Sequence, residues 1–170
     1  MIPLSDIGYG GESIKGSNVT QAYINSYSPY YYLELSDLMT FKDKLLSAGS
    51  PDIECHEHEY LHCYSTTKEC EDLYQFMKPL SFKLDSTTYT VQPEGYTVSN
   101  SETTGYKCMI FVSAKFDSQG VDLGTLFLTN FVMSYDYSNN AVRLGVNTNA
   151  PEGTTMVTDS PEPDPDDGKK

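Results

Sequence analysis

Turn-forming residues break this chain into short pieces, and that spacing constrains its fold more than any other feature. Runs rich in Val, Ile, Thr, Tyr and Phe give way within a few residues to Gly, Pro, Asn or Asp, the punctuation of short strands in a sandwich or barrel-like domain. Residues 6–14, with Gly8, Gly10 and Gly11, read as a hairpin. Gln21–Ile24, Leu80–Leu84, 89–92, 108–112, 125–136 and Ala141–Val146 read as strands. Asp85-Ser86 turns between the second and third of these, Pro93 ends the third, and Asn139-Asn140 makes a tight turn before the last. One stretch differs. Residues 36–48 read as a helix capped by Ser36, with Leu38, Met39, Phe41, Leu45 and Leu46 near one face and Gly49 as its stop. The polar segment 55–70 reads as neither state. The expected class is mainly β with one or two short helices.

At 170 residues the chain is long enough for one domain with a real core. Its formal charge of −13 argues against nucleic acid or an anionic membrane surface as partner, since phosphate would repel it. Six acids between Glu152 and Asp167 face Lys169 and Lys170, so residues 150–170 are expected to form an acidic, Pro-rich disordered tail after a domain spanning 1–149. No apolar run approaches the roughly 20 residues of a membrane-crossing helix, and membrane insertion is not expected. Met1-Ile2-Pro3-Leu4 leads straight into a polar stretch without a secretory leader, so an internal start is expected. Four cysteines, Cys55, Cys63, Cys70 and Cys108, allow three full pairings, and Asn18-Val19-Thr20 is an N-glycosylation acceptor sequence. Together they point to an oxidising compartment, secreted, extracellular or endomembrane-lumenal.

One motif suggests metal chemistry. His58-Glu59-Tyr60-Leu61-His62 matches H-E-x-x-H, which on a helix sets two imidazoles on one face with a glutamate as general base for a zinc-bound water. His56, Cys55 and Cys63 lie beside it, and Glu69 or Glu71 could supply a third ligand. A solvated polar loop between a helix and a strand pair accounts for the same residues, so no metal or other cofactor is assigned.

The strongest motif lies near the end. Val121-Asp122-Leu123-Gly124-Thr125-Leu126-Phe127, continuing through Asn130-Phe131 to Asp136, Asn139-Asn140 and Val142-Arg143-Leu144-Gly145, resembles the last segment of pepsin-like aspartic peptidases. Residues 82–98, with Pro93-Glu94-Gly95-Tyr96 ahead of Cys108, are similar to that family's strand pair, and Gly10-Gly11 with Gln21-Ala22-Tyr23-Ile24 to its approach to the active site. The resemblance covers residues 6 to about 147. It implies the C-terminal lobe of a bilobal fold, mainly β.

The family resemblance also implies a site and shows its departures. Such enzymes activate water between two carboxyls that share one proton, one from each lobe, because like charges that close cannot both ionise. The family's Asp-Thr/Ser-Gly-Thr/Ser falls here on Asn25-Ser26-Tyr27-Ser28. Asn25 takes the place of the acid, Tyr27 that of a small Gly, Asp122 that of an apolar residue and Thr125 that of an Asp. No catalytic residue is assigned, and no Asp-Thr/Ser-Gly occurs elsewhere in the chain. The implied function is a pseudopeptidase lobe that binds or scaffolds, partnered by an N-terminal lobe or another chain, with peptide in a residual cleft as a further ligand. The alternatives are one piece of a working aspartic endopeptidase and, third, a zinc hydrolase using His58, Glu59 and His62. The resemblance implies a Cys70–Cys108 disulfide and leaves Cys55 with Cys63; exchange of Cys63 and Cys70 stays open. The tyrosines at 23, 27, 30, 31 and 32 are expected to serve partly as core, with Tyr27 plugging the former cleft.

Overall fold

The computed structural model describes residues 1–57, 61–99, 105–114, 120–138 and 141–159. Within them the chain is mainly β, with three short helices. The first hairpin forms as expected: β1 (Ile2–Tyr9) turns through Gly10 and Gly11 into β2 (Glu12–Ser13), with Tyr9 opposite Glu12. Both glycines hold positive φ, 63° and 84°, the backbone a two-residue hairpin turn needs and one that side chains resist. β3 (Gln21–Ile24) and β4 (Tyr31–Leu33) follow, then α1 (Leu35–Ser47).

Helix α1 buries Asp37, Leu38, Phe41 and Leu45, whereas Leu46 faces outward. Its cap lies two residues earlier than expected. The Glu34 carboxylate, not Ser36, accepts the Ser36 N–H at 2.7 Å, and Gly49 ends the helix at φ 84°. The ring of Phe41 meets Tyr9 of β1 edge-on at 4.9 Å, which fixes the helix against the sheet.

The ambiguous segment resolves into β5 (Glu54–Glu57) and β6 (Leu61–Ser65), antiparallel partners in a small sheet with β9 (Thr97–Ser99) and β10 (Cys108–Ile110). A single helical turn, α2 (Cys70–Leu73), leads back to β7 (Leu80–Leu84) and β8 (Thr87–Val91), joined through Asp85 at φ 53°. The main sheet runs β11-β4-β12-β3-β1-β7-β8-β15, where β11 is Val112–Ala114, β12 is Val121–Leu123 and β15 is Thr155–Thr158.

Two expectations need correction. Residues 125–136 are not one strand: Thr125–Asn130 forms helix α3, and β13 (Phe131–Asp136) begins only after it. Thr and Phe favour strands while Leu favours helix, and packing decides between such weak preferences. Here the Thr125 N–H is taken by the Ser28 carbonyl at 2.7 Å, and Phe127 and Asn130, one turn apart, are both buried. The tail also begins later than residue 150. β15 pairs with β8 from Thr155↔Thr90 to Thr158↔Thr87, because its alternating Thr-Met-Val-Thr can complete a sheet edge that proline and acids cannot. Residues 160–170, where the rest of the expected tail falls, lie outside the described residues, as does the Asn139-Asn140 turn between β13 and β14 (Ala141–Val146).

The core is aromatic. Tyr31 stacks on Phe82 at 5.6 Å, and Phe127, Phe131 and Tyr89 close the same cluster. Tyr31 donates to the Gly95 carbonyl and Tyr96 to that of Lys78. Burial holds the phenols of Tyr9, Tyr31 and Tyr96 above the ordinary tyrosine range. A phenol raised on folding stabilises the fold fully below its unfolded pKa of about 10 and loses that contribution as pH climbs through the folded value. Denaturant midpoints are therefore expected to fall steeply above about pH 10, together with the rise of phenolate absorbance. Midpoints unchanged through about pH 12 would contradict this account of the core.

Candidate functional site

The site is built by one crossing of strands. β12 lies between β3 and β4, parallel to the first and antiparallel to the second. Because β3 and β4 are consecutive in the chain, the turn joining them must pass over the end of β12. Three backbone bonds hold that passage: Asn25 N–H to the Leu123 carbonyl at 2.9 Å, Thr125 N–H to that of Ser28 at 2.7 Å, and Tyr31 N–H to that of Phe111 at 2.9 Å. Gly124 sits under the turn, so close that a Cβ there would lie 2.3 Å from the Tyr30 oxygen and 2.4 Å from that of Ser28.

Asn25 opens the turn with both ends of its amide engaged. Nδ2 donates to Asp122 Oδ2 at 3.1 Å, and Oδ1 accepts the Tyr27 N–H at 3.0 Å. Asn and Asp both favour such side-chain turns, but the amide donates to a neighbouring carboxylate at any pH, whereas an aspartate must first be protonated. Asp122, on β12 opposite Tyr23 and Tyr32, is only 4 % exposed. An amide oriented this way fixes the loop and presents no proton that it could give, take or share near neutral pH.

The remaining turn residues do different things. Ser28 Oγ donates to the Tyr32 hydroxyl at 3.2 Å and accepts the Tyr30 N–H at 3.3 Å. Ser26 is exposed. Tyr27 is 99 % exposed and stands out in solvent, so within this lobe it plugs nothing. Tyr30 lies against Phe111, 4.7 Å between ring centres, and beside Tyr32; burial, with Tyr32 close by, raises its phenol pKa. Of the dense tyrosines Tyr31 alone is fully buried.

Comparison with known families agrees with the pepsin-like resemblance read from the sequence. The model of the eukaryotic aspartyl protease family matches residues 2–147. The chain belongs to that family. Compared with the curated proteins, it matches none. A eukaryotic aspartyl protease lobe accounts for the mainly β architecture and for the long reach of the match, which runs from β1 to the end of β14.

Other expected features fall on this lobe as follows. The disulfides are Cys70–Cys108 and Cys55–Cys63, so the exchanged pairing is not formed. Both suit an oxidising compartment, and no described helix is long and apolar enough to cross a membrane. Asn18 is exposed in a loop latched to α1, where the buried Asp37 carboxylate accepts from Gly16 N, Ser17 N and Ser17 Oγ at 2.6–2.8 Å. His62 lies in strand β6 and not on the helix that H-E-x-x-H requires; His58, Glu59 and Tyr60 lie outside the described residues. Polar and aromatic residues alternating around two cysteines satisfy a disulfide-stapled hairpin better than a helix, since the period of two sets Cys63 inward at 2 % exposure.

Sequence reasoning flagged Asn25 and Asp122 separately and missed that they touch. The signal available was a charged residue inside an otherwise apolar Val-x-Leu-Gly run: a buried acid needs a donor, and an asparagine at the matching turn is one. The Asp37 latch had no such signal, because an acid in the first turn of a helix is expected at the surface.

Proposed function

We propose that this chain is a catalytically silent lobe of the pepsin-like type, a binding or structural half that pairs with another lobe or chain in a secretory or extracellular compartment. The observation that carries the reading is Asn25, at the position the family resemblance assigns to the acid and held there by Asp122 and the Tyr27 amide. A carboxamide cannot enter a shared-proton dyad, and the Tyr27 side chain stands where the family keeps glycine.

The pairing surface follows from β13 and β14. These strands form a sheet of two, paired only with each other among the described residues, with Val132, Tyr135 and Val142 exposed by 54, 57 and 46 %. A two-stranded ribbon with open edges is marginal alone. Beneath it runs a groove of about 640 Å³ lined by Ile2, Ile24, Tyr89, Met133 and Leu144 among others. A second lobe adding strands to this ribbon would satisfy the edges and cover the groove. Peptide lying along the Tyr27–Tyr32 face is a further ligand of the assembled pair, and the exposed Asn18 is a glycan site in such a compartment.

A working endopeptidase has one observation in its favour, the Asp122 carboxylate beside Asn25; its burial and its bond to the amide weigh against use on substrate. The test is digestion of an unfolded protein between about pH 3 and 7, with a statine-type inhibitor in one arm and a chelator in another. No cleavage is expected from the chain alone or after co-expression with a pepsin-like N-terminal lobe. Statine-sensitive cleavage in either form would overturn the silent reading.

A further inference from the structure

The β5–β6 hairpin places two histidines where the sequence motif did not. His56 and His62 are directly opposite one another in the antiparallel register, one pair along from the Cys55–Cys63 disulfide. Opposed residues on a sheet bring their Cβ atoms within about 4.5–5.5 Å, close enough for two imidazoles to share one ion. The disulfide spans only 4.1 Å between Cα atoms and fixes this register, so no strand slip can separate the pair. Alternation sends Cys63 into the core and His56 to the exposed face, together with Glu54 two residues earlier.

We propose that His56 and His62, with Glu54 as third ligand, form a binding site for a divalent transition-metal ion such as Zn²⁺. Glu54 Oε2 lies 3.4 Å from His56 Nε2. Two ligands at about 2.0–2.2 Å from one tetrahedral zinc are themselves about 3.4 Å apart, so this carboxylate and imidazole already have the spacing of metal ligands. The ring of Tyr64 stacks on His56 at 5.4 Å with 10° between planes, and that of Tyr30 flanks His62 at 6.1 Å. The Tyr64 ring thus restrains His56 beside Glu54, which lowers the ordering cost of binding at that imidazole. Among the described residues no three ligating side chains are already gathered as a closed cluster, and the site closes by side-chain rotation of His62 onto the ion. Imidazole and carboxylate suit zinc, and water or a partner's side chain completes the fourth position. The net charge of −13 draws cations to the surface. Through Tyr30 the ion would sit beside the Asn25–Ser28 turn, whether or not the lobe is paired.

The experiment is calorimetric titration of the whole, disulfide-intact chain with ZnCl₂, with imidazole NMR resonances followed in parallel. One ion per chain is expected, perturbing His56 and His62 together. His56→Ala and His62→Ala should each weaken binding at least about tenfold and Glu54→Gln by a smaller factor, with unchanged circular dichroism because these side chains lie on a stapled hairpin. His58→Ala should leave affinity as it is. Binding weaker than about 1 mM, affinity indifferent to His56 or His62, or loss on His58→Ala would each overturn the site.

Discussion

Replacing Asn25 by aspartate should not return a usable acid to this lobe; it should make the lobe sensitive to pH. The new carboxyl would take the amide's place 3.1 Å from Asp122 Oδ2, and two carboxyls so close must share a proton. Such pairs separate their two pKa values by about three units, equivalent to about 4 kcal/mol. Because Asn25 is only half-buried, about 2 kcal/mol is a reasonable expectation after screening. The sign follows from linkage. The carboxyl whose pKa is raised on folding stabilises the fold fully below its unfolded value of about 3.9, and that contribution is lost as pH rises through the folded value. Asn25→Asp should therefore match the parent near about pH 4 and fall below it by pH 7 in urea midpoint.

The exchanged pair, Asn25→Asp with Asp122→Asn, should restore the parent's pH profile, since the amide and the carboxylate then meet in reverse. That double variant, not the single one, is the shortest route to an ionised carboxylate at position 25, and the Tyr27 N–H would still bond it. A single variant whose midpoints run parallel to the parent's at every pH would show that Asp122 does not hold Asn25. On the proposed reading, the pair would keep the site silent in a way that one substitution cannot reverse, because Asp122 is complementary to the amide.

How much of this was legible depended on whether local pattern and tertiary demand agreed. Gly10-Gly11 gave the first turn because positive φ is a local requirement. Helix α1 was legible from its buried stripe at Leu38, Phe41 and Leu45, which any helix of that period must bury. Helix α3 was not, because its Thr-Leu-Phe-Leu run is held helical by Gly124 and by the Ser28 carbonyl, contacts about a hundred residues apart in the chain. The His56–His62 pairing was hidden for a similar reason. H-E-x-x-H is read with a period near four, and the chain uses a period of two, so its partner for His62 is His56. At the candidate site the identities at 25 and 122 were legible; their contact needed the parallel pairing of β3 with β12, which no short-range pattern encodes.

Gly124 carries the second large prediction, because the whole turn rests on it. Its φ of −77° is open to any residue, so an alanine there meets no backbone strain. The obstacle is space. A Cβ would lie 2.3, 2.4 and 2.8 Å from the Tyr30 oxygen, the Ser28 oxygen and the Pro29 carbonyl carbon, all main-chain atoms that cannot turn aside as a side chain does. Relief requires lifting the turn off β12, which breaks the Thr125–Ser28 and Asn25–Leu123 bonds and separates Asn25 from Asp122. Gly124→Ala should cost at least about 3 kcal/mol, at the upper end for overpacking. Two other glycines isolate the cause. Gly11, at φ 84° with open space around it, should lose about 1 kcal/mol on replacement by alanine, from conformation alone. Gly145 has neither positive φ nor a near neighbour and should stay within about 0.5 kcal/mol of the parent. Urea midpoints that rank the three in this order support a turn pressed onto β12. A Gly124→Ala midpoint no lower than that of Gly11→Ala would mean that the turn is free to lift, and that the Asn25–Asp122 contact is not imposed by the strand crossing.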